Sequence, residues 1–167
     1  MQETIEIIKS GGVGVLPTDT IYGLVGQALN PETVARIYRL KKRSPDKPSI
    51  VMIGDLAELE KFQLAPNKAT LKIIEQFWPG PTSIIFSPKL SFRLPKPSWL
   101  RELLRKTGPL IASSANPEGR PPAQTPAEAE AYFGNHVDFY HDAGCLIGKP
   151  STLIDIKENG AVEVIRK

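Results

Sequence analysis

Helix-like and strand-like segments alternate along most of this chain, and that alternation restricts the fold more than any other feature of the sequence. It is typical of α/β proteins, in which helices pack on a central sheet. The predicted helices cover residues 4–10, 31–42, 55–62, 67–78, 98–106 and 125–133, and the predicted strands cover residues 13–16, 49–53, 82–86, 110–112, 151–156 and 161–165. Asn159 and Gly160 form a hairpin signal between the last two strands, so the sheet should be mixed rather than wholly parallel.

The composition predicts one globular domain over residues 1–167. With 41% hydrophobic and 23% charged residues in a chain of 167, there is enough apolar surface to fold around a single core. Cys145 is the only cysteine, which excludes an internal disulfide, and the two histidines are not spaced with it as metal ligands. No apolar run approaches about 18 residues, and the N-terminus lacks the apolar core of a signal peptide. We therefore expect a cytoplasmic protein that is neither exported nor membrane-spanning.

Positive charge is concentrated in one short segment, although the net charge is only +3. Residues 36–47 contain six cations and one acid, Asp46. The cations are Arg36, Arg39, Lys41, Lys42, Arg43 and Lys47. Such a cluster suits a phosphate-binding surface, an RNA-binding patch, or simply a solvated helix end whose cations favour the helix dipole.

Lys41 interrupts the apolar face of the helix predicted at residues 31–42. Val34, Ile37 and Tyr38 follow the spacing of a buried face, and Lys41 lies seven residues after Val34 on that same face. A buried ammonium is costly without a partner, so Lys41 either meets an anion in a binding site or extends to water from the last helical turn.

Two predicted strands end directly in polar turns. Residues 13–16 run into Thr18, Asp19 and Thr20, and residues 110–112 run into a segment containing Ser114 and Asn116. Ligands of open α/β sheets bind beyond the carboxyl ends of strands, which makes both turns candidate binding edges. The alternative is that these side chains only cap their own backbone, as they do in most turns.

Common nucleotide-binding and hydrolase motifs are absent. Residues 144–151 come nearest to a phosphate-binding loop, but the segment is one residue short and has Pro150 between Lys149 and Ser151. No G-x-G-x-x-G fingerprint and no G-x-S-x-G elbow occurs. Standard dehydrogenase and hydrolase functions therefore lose support.

Five sequence motifs occur in the order and spacing of one known family. They are Pro17-Thr18-Asp19-Thr20-Ile21-Tyr22-Gly23-Leu24, Lys41-Lys42-Arg43 followed by Asp46-Lys47-Pro48, Trp78-Pro79-Gly80-Pro81, Ser114-Ala115-Asn116, and Ser151-Thr152-Leu153-Ile154-Asp155. Together they resemble the YrdC domain family, whose enzymatic members are threonylcarbamoyl-AMP synthases. The resemblance covers nearly the whole chain and is to the short bacterial form, without the additional carboxy-terminal domain of longer relatives.

The resemblance implies a twisted, open, mixed β-sheet flanked by helices, with a concave basic face. It also implies roles for ten residues. The catalytic residues would be Lys41, Arg43, Ser114 and Asn116; ATP would contact Arg43, Lys47, Ser83, Ser114, Ser151 and Arg166; and threonine would contact Thr20 and Met52. Met52 stands where some members of the family have histidine, so an apolar threonine pocket is expected.

The family reaction joins L-threonine, bicarbonate or CO2, and ATP into threonylcarbamoyl-AMP and pyrophosphate. Mg²⁺ would be held by ATP oxygens, since no carboxylate pair stands out in the motifs. The adenylate would supply threonylcarbamoyladenosine modification of tRNA through a downstream threonylcarbamoyl transferase complex. The alternative is a non-catalytic RNA-binding module on the same basic face. Carbamoyl transfer within a larger hydrogenase-maturation protein is disfavoured, because no accessory domain is recognisable.

Overall fold

The computed structural model describes residues 1–167 and consists of five α-helices, two 3₁₀ helices and nine strands. The helices are α1 (Gln2–Lys9), α2 (Pro31–Leu40), α3 (Lys68–Ile74), α4 (Ser98–Thr107) and α5 (Pro126–Phe133), with 3₁₀ helices at Leu56–Phe62 and Gly134–His136. The strands are β1 (Gly14–Leu16), β2 (Gly23–Gln27), β3 (Ser49–Met52), β4 (Thr82–Ser87), β5 (Leu90–Arg93), β6 (Leu110–Ser114), β7 (Phe139–Tyr140), β8 (Thr152–Ile156) and β9 (Val162–Arg166).

All nine strands form one open sheet in the order β7-β1-β2-β6-β3-β5-β4-β8-β9. Parallel pairing joins β7 to β1, β3 to β5 and β4 to β8, while the other neighbours are antiparallel. The prediction of a mixed α/β sheet, including the hairpin between β8 and β9, is confirmed. None of the helices combines the length and apolar character needed to cross a membrane.

One face of the sheet is apolar across five neighbouring strands. A transverse row of directly paired residues crosses β6, β3, β5, β4 and β8 on this face; its members are Ile111, Val51, Phe92, Ile84 and Ile154. All five are at most 3% exposed, because α2, α3, α5 and the first 3₁₀ helix cover them. Burial of this row supplies much of the hydrophobic stabilisation of the fold.

The opposite face is only partly covered. Helices α1 and α4 pack over Met52, Leu110 and Ala112. At the edge of that cover, the row that pairs Ala112 with Ile50 and Ile50 with Ser91 is not covered by a helix along its whole length and lines a cavity. This open part of the sheet face is where a ligand can reach the strands.

Three strands were missed by the sequence prediction, namely β2, β5 and β7. Strand β2 contains Gly23 and Gly26, which weaken a strand signal, although Gly26 is needed because a Cβ there would lie 2.4 Å from the Thr33 side chain. Strand β5 has four residues and β7 only two, so neither is long enough to show periodicity.

Three predicted helices were wrong in extent or type. Helix α2 ends at Leu40 rather than at residue 42, because Lys42 is left-handed. Helix α3 ends at Ile74 rather than at Trp78, and the chain continues to Trp78 as hydrogen-bonded turns. Residues 56–62 form a 3₁₀ helix: Asp55 accepts a hydrogen bond from Ala57 N, but the Glu58 carboxylate binds Gly54 N instead of closing a capping box.

Candidate active site

A cavity of about 200 Å³ opens on the uncovered part of the sheet face. This is several times the volume of a water molecule, about 30 Å³, so an organic ligand can enter. Its wall is rich in hydroxyl and guanidinium groups and contains no carboxylate and no histidine. The polar residues lining it are Thr18, Thr20, Ser49, Ser91, Ser113, Ser114, Ser151, Arg43, Arg93 and Arg166.

Lys41 lies just behind this wall and is 3% exposed. Its ammonium donates to the carbonyl oxygens of Ser114, at 2.5 Å, and Asn116, at 2.7 Å. The alternative of a lysine extending to water is therefore wrong, and the partners are backbone carbonyls rather than the anion expected from the sequence. Burial lowers the pKa of Lys41 to about 8; the charge of Arg43 adds to this shift and the Glu118 carboxylate opposes it.

The end of α2 turns Arg43 into the cavity. Lys42 adopts a left-handed conformation with φ of 51°, while Lys42 N bonds to Arg39 O and Arg43 N bonds to Tyr38 O. This pair of bonds is a Schellman motif, which reverses the chain direction. The Lys-x-Arg spacing thus places Lys41 behind the cavity wall and Arg43 in the wall. Arg43 donates to Pro48 O at 2.8 Å, and its buried Nε has no hydrogen-bond partner.

The turn after β1 both caps itself and faces the cavity. Thr18 Oγ1 accepts bonds from Thr20 N and Ile21 N and donates to Ile21 O at 2.7 Å. Thr20 Oγ1 lies 2.9 Å from Thr18 Oγ1 and accepts from Arg93 Nη1 at 3.2 Å. The two interpretations of this turn are therefore compatible, because the capping bonds hold the Thr20 hydroxyl at the cavity.

Arg93 is a functional candidate that the sequence interpretation missed. It is 4% exposed, its Nη2 lies 3.4 Å from Asp19 Oδ1, and its buried Nε has no hydrogen-bond partner. Burial lowers the pKa of Arg93, and the Asp19 carboxylate opposes that shift. The only sequence signal for a functional Arg93 is its position at the end of the short segment 90–93, which contains Leu90 and Phe92, and that signal is weak by itself.

Met52 is placed differently from the expectation. It is fully buried in the core between the sheet, α1 and α4, and its sulfur accepts from Arg93 Nη2 at 3.3 Å. Met52 does not line the cavity, because α1 and α4 cover it, whereas Arg93, its direct partner in the sheet, does line it. An apolar threonine pocket built by Met52 is therefore not what the structure contains.

Ser151 and residues of β8 and β9 form the far wall, and β4 lies behind it. Ser151 Oγ lies 2.9 Å from Ser83 Oγ, and Arg166 Nη2 donates to Ser151 O at 2.8 Å. Ser83 is fully buried behind Ser151, while Arg166 and Ser151 line the cavity. Burial and the charge of Arg43 both lower the pKa of Arg166. The guanidinium groups are thus close enough to repel one another, which favours an anionic ligand between them.

The structure sorts the ten predicted residues into three groups. Those in the cavity wall are Thr20, Arg43, Ser114, Ser151 and Arg166. Those behind the wall are Lys41, Met52, Ser83 and Asn116, and Lys47 lies on the exposed rim in an ion pair with Glu118. The Asn116 carboxamide donates to Pro117 O and Arg120 O, so it caps its own turn as the alternative interpretation proposed.

Comparison with known proteins identifies the family of the chain. The model of the Sua5/YciO/YrdC family, described as "Telomere recombination", matches residues 6–167. The chain belongs to the Sua5/YciO/YrdC family. A Methanocaldococcus jannaschii protein provisionally named a threonylcarbamoyl-AMP synthase is 32% identical over 169 residues, covering 94% of this chain and 80% of that protein. The threonylcarbamoyl-AMP synthase of Nitrosococcus oceani is 32% identical over 151 residues, covering 80% of each.

Solved structures of the Sua5/YciO/YrdC family share the fold. P. abyssi Sua5 complexed with L-threonine superimposes with a TM-score of 0.88 at 26% identity, over 99% of this chain. The chain spans about half of that protein, 53% of its length. E. coli YciO, at 24% identity and a TM-score of 0.84, supports the fold alone. The predicted YrdC-like sheet architecture is therefore confirmed.

Proposed function

We propose that this member of the Sua5/YciO/YrdC family is a threonylcarbamoyl-AMP synthase, and that residues 1–167 form its single domain. It would convert L-threonine, bicarbonate or CO2, and ATP into threonylcarbamoyl-AMP and pyrophosphate. The observation that carries the proposal is the group of three arginines, Arg43, Arg93 and Arg166, around a hydroxyl-rich cavity without a carboxylate in its wall. The proposal is also supported by relatives that are named threonylcarbamoyl-AMP synthase and by the similar structure of P. abyssi Sua5 complexed with L-threonine.

The amino-acid end of the cavity is proposed to lie at Arg93 and Thr20. The Arg93 guanidinium is almost completely buried and bonds the Thr20 hydroxyl, while one of its N–H groups is unpartnered. A planar guanidinium matches a carboxylate geometrically, so it suits the α-carboxylate of threonine. The surrounding positive charges also disfavour the ammonium form of the threonine amine, leaving the nucleophile that attacks CO2 or bicarbonate.

The nucleotide end is proposed to lie between Arg43, Ser114, Ser151 and Arg166. Attack of the threonine carbamate on the α-phosphate of ATP forms the mixed anhydride and releases pyrophosphate, and negative charge grows on the phosphate oxygens. Arginines held in place before the reaction stabilise that charge without reorganising. No cluster of three or more acidic, cysteine or histidine side chains offers a resident metal site, so Mg²⁺ is proposed to enter as part of the MgATP substrate.

Lys41 and Asn116 are proposed to act as positioning residues rather than as direct ligands. The Lys41 ammonium binds the carbonyls of Ser114 and Asn116, and Lys41 O accepts from Glu118 N at 2.7 Å. These bonds hold the turn after β6 against the end of α2, which sets the distance between Ser114 and Arg43. Lys47 and Ser83 remain predicted nucleotide contacts.

Synthesis of the adenylate tests the proposal directly. The purified chain is mixed with ATP, Mg²⁺, bicarbonate and L-threonine, and pyrophosphate is followed together with a threonylcarbamoyl-AMP adduct by mass spectrometry. The adduct is expected only when threonine and bicarbonate are both present, because the carbamate must form before adenylation. Arg43→Ala should reduce the rate roughly 100-fold or more, the usual effect of removing a transition-state contact. Arg39→Ala removes an exposed arginine from the last turn of α2, four residues before Arg43, and is the matched control.

If the adduct forms without threonine or without bicarbonate, the synthase assignment is contradicted. Phosphate release that ignores threonine would indicate an ordinary ATPase. Salt-dependent RNA binding without turnover would instead indicate the non-catalytic RNA-binding module. Delivery of the adenylate to tRNA through a transferase complex in the cytoplasm is part of the same proposal, and it is tested by adding that complex and tRNA to the assay.

A further inference from the structure

Glu118 and Lys47 form an ion pair beside the cavity, where Lys47 directly precedes the wall residue Pro48. Lys47 Nζ contacts Glu118 Oε1, and both side chains are largely exposed. The backbone of Glu118 is fixed, because its N–H donates to Lys41 O at 2.7 Å. The backbone of Lys47 is also held, since Tyr38 Oη donates to Lys47 O at 2.7 Å. The pair therefore links two anchored loops, residues 43–48 and the turn after β6.

The Glu118 carboxylate faces three cations of the site at once. The hydrogen bond from Lys47, together with the charges of Arg43 and Lys41, holds the pKa of Glu118 below its ordinary value. Glu118 is therefore ionised, and it lies close to cations that the proposed function assigns to the nucleotide site. An exposed ion pair adds little to stability, so the position of this carboxylate matters more for ligands than for the fold.

We propose that the Glu118 carboxylate competes with the phosphate chain of the nucleotide for Lys47. Without ligand, the carboxylate engages the Lys47 ammonium; a polyphosphate must displace it before Lys47 can bind phosphate oxygens. This inference rests on the proposed function, in which Lys47 contacts the nucleotide. Its consequence is weaker binding of small anions, including the pyrophosphate product, which then leaves more readily.

Binding of inorganic pyrophosphate, measured by calorimetry at fixed ionic strength, tests the competition. Glu118→Gln keeps the shape of the side chain and removes its charge, so the Kd for pyrophosphate should fall roughly two- to five-fold, the range expected for an exposed ion pair. Glu102→Gln, an exposed acid on α4 outside the cavity wall, should leave the Kd unchanged. An unchanged or larger Kd in Glu118→Gln overturns the inference.

A double-mutant cycle separates competition for Lys47 from a general effect of charge. Lys47→Met should weaken pyrophosphate binding. In that variant, adding Glu118→Gln should not lower the Kd for pyrophosphate, because the cation for which the carboxylate competes is gone. If Glu118→Gln tightens pyrophosphate binding equally in the Lys47→Met variant, the inference is overturned, since the carboxylate would then act by general electrostatic repulsion of the anion and not through Lys47. Wild-type protein that binds neither pyrophosphate nor ATP would contradict the proposed function itself, which distinguishes the two failures.

Discussion

At the scale of single residues, the cations of this site are held by contacts that lie far away in the sequence. Lys41 binds carbonyls 73 and 75 positions further along the chain, and Arg93 binds Thr20, 73 positions earlier. Lys41 is bound by backbone carbonyls, while Arg93 pairs with Asp19 at 3.4 Å and keeps a buried Nε without a partner, which a ligand can use. This arrangement explains why a modest net charge of +3 is compatible with an anion-binding cavity.

The depressed pKa of Lys41 predicts a stability change with pH. Its folded-state pKa of about 8 lies below the ordinary 10.5, so between these values the unfolded chain binds more protons than the folded chain. The free energy of unfolding should therefore rise with pH across this window, by roughly 3 kcal/mol in total, relative to a Lys41→Met variant that cannot titrate there. Urea unfolding of both proteins at a series of pH values measures the difference.

Lys42→Met is the control for that experiment, because Lys42 is the exposed neighbour of Lys41. The free energy of unfolding of Lys42→Met should change with pH in parallel with that of the wild type. Parallel curves for Lys41→Met and the wild type would show that the Lys41 pKa is the same in the folded and unfolded states, contrary to the prediction. Lys41→Met should also lower overall stability at every pH, since two buried carbonyl groups lose their donor.

At the scale of elements, the end of α2 is the feature that converts a helix into a binding site. Asn30 begins the helix by accepting bonds from Glu32 N and Thr33 N, and Pro31 occupies the first helical position, as the sequence predicted. The helix ends through the left-handed Lys42, a position at which glycine is the usual residue. A strained lysine at this point is compatible with the fold because the bonds on either side determine its conformation.

Replacing Lys42 by glycine should stabilise the protein. A left-handed conformation costs a non-glycine residue roughly 1–2 kcal/mol, and the greater freedom of glycine in the unfolded chain offsets part of that gain. We expect Lys42→Gly to raise the free energy of unfolding by roughly 1 kcal/mol. Lys42→Ala, which keeps the strain and removes the charge, should differ from the wild type by less than about 0.5 kcal/mol. Lower stability of Lys42→Gly in urea unfolding would show that Lys42 is not strained.

At the scale of the whole molecule, one sheet connects all parts of the core. The apolar row from Ile111 to Ile154 crosses five strands, and it joins the buried cluster under α2 and α5 to the cluster under α3. The cluster under α1 and α4 lies on the other face of the same strands. Because no subset of strands carries an independent core, the molecule should unfold as one unit.

Cooperative unfolding can be checked with a single tryptophan. Trp78 is buried in the cluster under α3, whereas Trp99 is exposed, so in a Trp99→Phe variant the fluorescence reports only on that cluster. Its urea midpoint should coincide with the midpoint measured by far-UV circular dichroism, which averages over all helices. A Trp78 transition that precedes the loss of helix would contradict the single-domain proposal for residues 1–167.

Part of the site could be predicted from sequence because its signals are local. The polar turns after β1 and β6 follow apolar runs directly, and Lys41 breaks a helical periodicity that is visible within ten residues. The functional meaning of Arg93 and Glu118 could not be predicted in this way. Strand β5 is too short to show a period, and the partners of both residues come from distant parts of the chain.

The sequence by itself determined the α/β class, the mixed sheet, the helix starts and the polar strand ends, because periodicity and turn chemistry act over a few residues. Only the tertiary structure decided which predicted side chains face the cavity. Ser114 and Arg43 lie in its wall, whereas Met52 and Asn116 do not. The physical reason is that the strand order and register, set by packing across the whole sheet, determine which neighbours cover each side chain.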